Sequence, residues 1–168
     1  MKDYEVIKYE TSHKNRWDEF IKNAKNATFL FERDFMDYHA DRFTDYSLMV
    51  FKKEKLVAVL PANLQGNTLH SHQGLTYGGL VLGKRTNFED TVIIFTQLLK
   101  YLESEAVATL NLKLLPHIYH LMPSDEIAHL LFVLNAKLTR RDISSSIFYE
   151  ARLAITSSNR KRGIKRGI

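Results

Sequence analysis

The sequence predicts an α/β domain in which helices flank a mixed parallel and antiparallel sheet, with the element order β-α-α-β-β-β-α-β-α-β. Three observations predict this class. Strand-like apolar stretches follow one another between positions 45 and 82. Two later stretches, 87–106 and 124–134, have helical apolar spacing, and a strand-like stretch follows each. The final strand–helix–strand units imply parallel pairing, whereas the earlier hairpin implies antiparallel pairing.

The first third of the chain predicts one strand and two helices. Residues 4–9 alternate as a strand does. Ser12 is placed to cap a helix, and Phe31, Phe35 and Tyr38 recur at helical spacing in a second, aromatic helix over 31–43. The apolar face of the first helix consists of Trp17, Phe20, Ile21 and Ala24.

The middle of the chain predicts a meander of three or four strands. Residues 45–52 and 56–63 flank a charged turn and form an antiparallel hairpin. The second strand is continuously apolar, which suits a strand covered on both faces, and Pro61 near its end implies a bulge or a departure from the sheet. A turn at Gly66-Asn67 leads to strands over 68–72 and 75–82.

The last part of the chain predicts two helices and two strands. Asn87 caps a helix whose apolar stripe is Val92, Phe95, Leu99, Leu102 and Ala106. A strand over 109–115 ends at Pro116, and Ser124 caps a helix bearing Ile127, Leu130, Leu131 and Leu134. Alternation over 137–147 predicts a final strand that closes the sheet.

The composition is that of an ordinary globular protein. The chain has 168 residues, 45% of them hydrophobic, and no Cys. A chain of this length can bury about 68–70% of the surface that it exposes when unfolded. The lack of Cys excludes disulfide frameworks, Cys-ligated zinc, iron–sulfur clusters and thiolate nucleophiles. A charged N-terminus and apolar runs shorter than the roughly 18–20 residues of a membrane span predict a cytoplasmic protein with no membrane span.

The net charge of +5 is concentrated at the C-terminus. Residues 157–168 contain five basic residues and no acid, which leaves 19 basic and 19 acidic residues in 1–156. A neutral body is not typical of a dedicated nucleic-acid-binding protein. We therefore expect one domain over 1–156, followed by a basic tail or the start of a missing second domain over 157–168.

Four stretches resemble the FemAB-like branch of the GNAT (N-acyltransferase) superfamily: 31–39, 59–63, 71–79 and 140–142. The segment from Pro61 to Gly79 is the most specific of them. The resemblance implies a GNAT-like fold and transfer of an acyl or aminoacyl group to a small-molecule or peptide amine, with acyl-CoA or aminoacyl-tRNA as the donor. It also implies a partner, because such domains usually occur in tandem and a basic segment like 160–167 leads into the second domain; a homodimer is the alternative.

Candidate site residues follow from the resemblance and from the chemistry. Residues 71–79 would border the acceptor groove, which makes His72, Gln73, Tyr77, Gly78 and Gly79 candidate substrate-binding residues, together with Arg141. Acyl transfer to an amine needs a base, and His72, His117 and Asp142 are of the right type. Gly83, Lys84 and Arg85 precede a helix, where this fold holds the pyrophosphate of coenzyme A. Their loop lacks further spaced glycines, and Asn87, Glu89 and Asp90 would compete with phosphate.

Other interpretations of the same residues remain open. A structural bulge with a packed Tyr77, and surface ion pairing over 140–142, would explain those stretches without a site. Paired histidines at 70/72 and 117/120 are better explained by ordinary hydrogen bonding than by zinc, so no metal site is predicted. Two other functions stay possible: a non-catalytic interaction module with a degenerate cofactor loop, and weak RNA binding by the tail, including contact with a tRNA donor.

Overall fold

The computed structural model describes residues 3–38 and 40–143, together with Ser158, Arg162 and Lys165. Met1–Leu138 form one unit and Thr139–Ile168 a second one. The strands and helices named below belong to the first unit. The predicted domain boundary after residue 156, and basic residues such as Arg160 and Lys161, lie outside the described residues, so the boundary stays a prediction.

The described part of the chain contains seven strands and four α-helices. The strands are β1 (Tyr4–Lys8), β2 (Leu48–Lys52), β3 (Lys55–Leu60), β4 (Asn63–Gln65), β5 (Thr68–His70), β6 (Val81–Leu82) and β7 (Thr109–Asn111). The helices are α1 (Lys14–Asn23), α2 (Arg33–Asp37), α3 (Phe88–Ser104) and α4 (Glu126–Val133). Short 3-10 turns occupy Thr11–His13, Phe29–Phe31 and His117–Tyr119. This arrangement confirms the predicted mixed α/β class.

The strands form two sheets that separate after β3. The first sheet has the order β1-β2-β3-β6 and is antiparallel, with Met49 opposite Val59 in its central pair. The second has the order β4-β5-β7, and β5 runs parallel to β7 with Leu69 opposite Leu110. The chain changes sheets at Pro61, which lacks a backbone N–H for a continuing ladder. The predicted departure at Pro61 is therefore confirmed.

The first sheet is covered on both faces. Leu48 and Val50 face a cluster that includes Ile94 and Leu98 of α3. The alternate residue Met49 faces a second cluster, which includes Trp17 of α1. Side chains that alternate along a strand point to opposite faces, so each central strand contributes to both clusters. This explains the continuous apolar run of β3.

The buried face of α3 differs from the predicted stripe. Its fully buried side chains are Thr91, Ile94, Phe95, Leu98 and Leu102. Val92 and Leu99 are 36% and 37% exposed, and they border a groove shared with Leu130 of α4. The helix therefore packs on the sheet through one face and presents a second apolar face toward α4. The predicted stripe combined residues of both faces, and Ala106 lies beyond the helix.

Three further predicted elements differ from the structure. In place of the helix predicted over 31–43, the structure has a 3-10 turn followed by α2. Arg33 and Met36 are buried, whereas Phe35 and Tyr38 are exposed. His39 lies outside the described residues. The strand over 75–82 is limited to β6. The predicted final strand over 137–147 was wrong for 137–143, where all side chains are exposed and no buried face stabilises a strand; 144–147 lie outside the described residues.

Candidate active site

A small cavity lies where β6 and the chain beyond β7 diverge. Gly78 forms a parallel bridge with Leu114, and its N–H donates to the carbonyl of Lys113 at 2.6 Å. Beyond this bridge, β6 pairs with β3 while residues 114 onward continue away from it. The gap is a cavity of about 30 Å³. It is large enough for one water-sized group, so a longer ligand must displace the side chains around it.

Two glycines form one wall of this cavity because no side chain fits there. A Cβ at Gly78 would overlap the backbone carbonyl oxygen of Ser71. Gly79 has φ +93°, a conformation that side chains rarely adopt, and a Cβ there would lie 3.3 Å from Leu114 Cδ2. Both glycines are buried and line the cavity, and their predicted role in substrate binding stays a prediction.

Two histidines also line this cavity. Pro116 ends the strand-like segment and begins the turn that carries His117, with His120 just after it. Their ring centroids lie 5.2 Å apart, and both rings line the cavity. His117 Nε2 lies 3.0 Å from the Asp125 carboxylate, and both side chains are exposed. Asp125 therefore orients one histidine of the pair.

His120 has the features of a proton acceptor. Its Nε2 lies 3.3 Å from the carbonyl oxygen of Leu115, which can only accept, so the proton is assigned to Nε2. The buried Nδ1 then carries a lone pair, and it has no hydrogen-bond partner among the described residues. Burial lowers the pKa of His120, and this effect is larger than the opposing effect of the hydrogen bond to Leu115. His120 is therefore kept neutral, and its buried Nδ1 is an acceptor without a partner among the described residues.

Tyr77, another predicted substrate-binding residue, lies next to the cavity but does not line it. Tyr77 is half-buried between the rings of Phe31, at 6.4 Å, and Tyr119, at 5.4 Å. It supports the turn that carries the histidines, whereas its neighbours Gly78 and Gly79 line the cavity itself.

His72 and Gln73 do not line this cavity. His72 is 4% exposed, with φ 61°, and its ring packs against Phe43. Gln73 is held by hydrogen bonds to Asn63 and Gln65 on β4. These contacts fix the turn after β5, so both residues have a structural role in this arrangement.

Arg141 and Asp142 belong to the second unit. Both side chains are exposed, and Asp142 accepts a hydrogen bond from Arg140 Nε at 2.9 Å. This local ion pair is the arrangement that the alternative interpretation of residues 140–142 predicted. Their proposed roles in catalysis and substrate binding stay predictions.

The loop of Gly83, Lys84 and Arg85 is already supported by protein groups. The Gly83 N–H donates to Val57, and the Thr86 N–H donates to Gly83. At the start of α3, the Asn87 side chain accepts from the Asp90 N–H at 2.8 Å. These bonds occupy N–H groups that would otherwise be available to a phosphate.

The edge of β6 that faces away from β3 is also occupied. The Asn26 side chain donates to the Leu80 carbonyl at 2.9 Å and accepts from the Leu82 N–H at 2.7 Å. The Lys25 N–H donates to the Leu82 carbonyl at 3.0 Å. An extended ligand arm could pair with β6 only by displacing residues 25–26.

The side chain of Lys25 holds residues 25–26 in place beside β6. Its side chain is buried, and Nζ contacts the Thr86 carbonyl at 3.1 Å and the Glu126 carboxylate. Burial alone would raise the pKa of Glu126, but hydrogen bonds from Lys25 and Ser124 lower it overall. The pair links the segment beside β6 to α4.

Sequence reasoning missed His120, Asn26 and Asp125 as site residues. In the sequence analysis, His120 is considered only as a metal ligand. A usable signal was present, because two histidines three residues apart follow a proline at the end of a strand. The role of Asn26 had no sequence signal, since it pairs with residues more than 50 positions away.

Two negative results concern residues 3–38 and 40–143. No three His, Asp or Glu side chains there converge as a metal site would require. Among the described helices, none has both the length and the apolar character needed to cross a membrane.

Comparison with known proteins identifies the fold. The structure is similar to that of the ribosomal-protein-S18-alanine N-acetyltransferase from Escherichia coli, with a TM-score of 0.52 and 13% sequence identity. The similarity covers 79% of this chain and 76% of the other. No protein-family model and no curated protein sequence matches. The chain therefore has the fold of the GNAT superfamily, with a mixed sheet flanked by helices.

Proposed function

We propose that this chain is a FemAB-like acyltransferase domain that takes part in moving an acyl or aminoacyl group to an amine. The observation that carries the proposal is the meeting of Gly78, Gly79, His117 and His120 around one cavity. The cavity lies where two strands diverge, and the GNAT fold supports acyl-transfer chemistry. The sequence stretches around Pro61 and Gly79 support the FemAB-like branch.

His120 would accept the proton of the acceptor amine. The amine nitrogen attacks the carbonyl carbon of an activated ester, and the bond from that carbon to the leaving oxygen or sulfur breaks. One amine proton passes to His120 Nδ1 and then to the leaving group, so no other reactant is needed. Positioning can contribute about 7–11 kcal/mol and a general base about 10²–10⁴-fold.

The domain would bind the acceptor and not the whole donor. Asn26 fills the free edge of β6, and Asn87 caps α3, so the groups suited to an acyl carrier are engaged within the chain. A second acyltransferase domain or a second copy of the chain would then hold acyl-CoA or aminoacyl-tRNA. Gly83, Lys84 and Arg85 would have no direct role in holding the acyl carrier's pyrophosphate.

The same closed edge also favours a second candidate function. A non-catalytic interaction module would have the same fold but no free edge of β6 to which an acyl donor could bind. This module would show no acyl transfer with any donor and would still bind a partner protein. The two candidates therefore differ in a measurable activity.

A transfer assay with the full chain separates them. Acetyl-CoA and aminoacyl-tRNA serve as donors, peptidoglycan-precursor peptides with a free lysine amine serve as acceptors, and mass spectrometry detects the product. Calorimetry measures binding of each donor and acceptor separately. We expect acceptor binding and, with a competent donor, product formation.

Substitution of the proposed base gives the sharper test. His120→Asn should lower the transfer rate at least 100-fold with acceptor affinity little changed. The matched control is His129→Asn, because His129 lies on α4, contacts Phe88 of α3 and does not line the cavity. A folded wild-type chain that binds neither acceptors nor donors would exclude the acyltransferase proposal and leave the interaction module.

The tail hypothesis has its own test. If residues 157–168 contact RNA, deleting them should flatten the salt dependence of binding to tRNA. An unchanged slope would assign any tRNA binding to the rest of the chain.

A further inference from the structure

An apolar groove lies between α3 and α4. Its lining includes the buried Phe95 and Leu130 and the exposed Val133 and Leu134. The groove has a volume of about 620 Å³, which leaves room for side chains of another molecule. It shares no lining residue with the His120 cavity, so binding here does not depend on the proposed acyl transfer.

The outer stripe of α3 along this groove has the spacing of a helix–helix contact. Val92, Thr96, Leu99 and Glu103 follow one another at steps of four, three and four residues. These steps are typical of a coiled-coil seam, in which one helix packs against another. The Thr96 hydroxyl donates to the Val92 carbonyl at 2.8 Å, so covering the stripe would not leave this hydroxyl without a partner.

The same apolar surface continues toward the C-terminal end of α3. A further cavity of about 370 Å³ lies between this end and β7, and Leu99 and Glu103 line both the groove and this cavity. Along the groove, Val92, Leu99 and Val133 are 36%, 37% and 57% exposed. A continuous exposed apolar surface favours contact with another protein.

One cation and one anion interrupt this surface. Among the described residues that line the groove, only Lys100 and Glu103 are charged. Both are exposed, and neither forms an ion pair with another described residue. A charge that is covered without a partner is costly. A molecule that covers the groove must therefore present one anion to Lys100 and one cation to Glu103.

A second copy of this chain meets that requirement. Contacts in a two-fold dimer are reciprocal, so a residue of one copy that contacts a second residue of the other is itself repeated across the axis. We propose that two copies associate through this face, with their α3 helices crossing antiparallel near Lys100 and Glu103. Each Lys100 then lies beside Glu103 of the other copy, and the two apolar stripes cover each other.

Sedimentation equilibrium of the full chain tests this dimer. We expect twice the mass of one chain at about 100 µM and dissociation on dilution, as for an interface of micromolar affinity. A folded chain that stays monomeric at about 100 µM would overturn the proposal. The groove would then be covered by a different protein or by another segment of this chain.

Charge reversal locates the interface. Lys100→Glu or Glu103→Lys gives every copy two like charges at the contact, so each variant should weaken the dimer at least 10-fold. The double variant Lys100→Glu/Glu103→Lys again has one charge of each sign and should dimerise as the wild type does. A single variant that dimerises with wild-type affinity would overturn the assigned interface.

Mixing the two single variants separates pairing from any other effect of the substitutions. An equimolar mixture should form a heterodimer, because one copy presents two anions and the other two cations. The matched control, Glu19→Lys/Lys22→Glu, reverses an exposed pair with the same spacing on α1 and should leave the dimer unchanged. A mixture that stays monomeric, or a control that weakens the dimer equally, would overturn the pairing of Lys100 with Glu103.

Discussion

Gly78 is the residue on which the geometry of the His120 cavity depends most directly. Its N–H bonds to Lys113 while its Cα faces the carbonyl of Ser71, so two backbone segments approach it from two directions. Only a residue without Cβ permits both contacts. The close approach places the adjoining Gly79 against Leu114, where the cavity begins.

Substituting Gly78 should therefore cost far more than substituting a glycine in open space. We expect Gly78→Ala to lower the free energy of unfolding by about 3 kcal/mol or more, because its Cβ would overlap backbone. Gly66 is the matched control: it has φ +60° and nothing within 4 Å of a Cβ, so Gly66→Ala should cost about 1–2 kcal/mol. Urea denaturation measures both. Equal losses would show that conformation, and not the close approach, matters at Gly78.

The lowered pKa of His120 gives a second test at this scale. Its ring should titrate below the ordinary value of about 6.5 in a carbon-detected NMR titration, with His120→Asn identifying the resonance. As the pH falls through 6.5, the unfolded chain binds this proton before the folded chain does, so folding stability should decrease. A ring that titrates at or above 6.5 would contradict the assignment of His120 as a neutral acceptor.

At the scale of elements, capping at the start of α3 uses a backbone N–H group that could otherwise bind an anion. Asn87 satisfies the Asp90 N–H, and the Asp90 carboxylate bonds to Lys52 and Tyr4. These contacts stabilise the helix start and tie it to β1 and β2. Lys84 and Arg85, just before the helix, line a cavity of about 370 Å³ together with Phe20 of α1.

Removing this cap should destabilise the fold measurably. We expect Asn87→Ala to lower the free energy of unfolding by about 0.5–2 kcal/mol, because the Asp90 N–H loses its acceptor. Asn87→Ser should recover most of the loss, since a serine oxygen can accept the same bond. Urea denaturation of the three proteins gives the comparison. A serine variant as unstable as the alanine variant would argue against capping as the cause.

For the whole molecule, the four-stranded sheet couples two cores. Leu48 and Val50 belong to the cluster under α3, and Met49 between them belongs to the cluster under α1. Neither cluster can lose its packing without disturbing a strand that supports the other. The unit over 1–138 should therefore unfold in one step.

Two probes that report on different faces can test this coupling. Trp17, the single tryptophan, is fully buried and donates its indole N–H to Phe31 at 2.7 Å. Its fluorescence should change at the same urea concentration as the far-ultraviolet circular dichroism. Leu98→Ala, on the opposite face, should shift both transitions equally by about 2–5 kcal/mol. Separate midpoints would show that the two faces unfold independently.

The sequence predicted best those features that depend only on residues close together in the chain. The cap at Asn87, the hairpin of β2 and β3 and the sheet change at Pro61 each follow from a few consecutive residues. The helix predicted over 31–43 is limited to Arg33–Asp37, because the burial of Arg33 depends on Asp45 and Ser47, which local periodicity does not include. The predicted strand is absent over 137–143, because alternating apolar residues form a strand only where another part of the protein covers one face.

The sequence by itself determined the mixed α/β class, the glycines near the diverging strands and the basic loop before α3, because these depend on backbone preference and on residue type. Only the tertiary structure decided that His120 lines one cavity with Gly78 and Gly79, that Asn26 occupies the free edge of β6, and that Lys55 and Lys84 line another cavity. The physical reason is that these contacts join residues 29 to more than 50 positions apart in the sequence. Their formation depends on how the two sheets separate and pack, which no local spacing encodes.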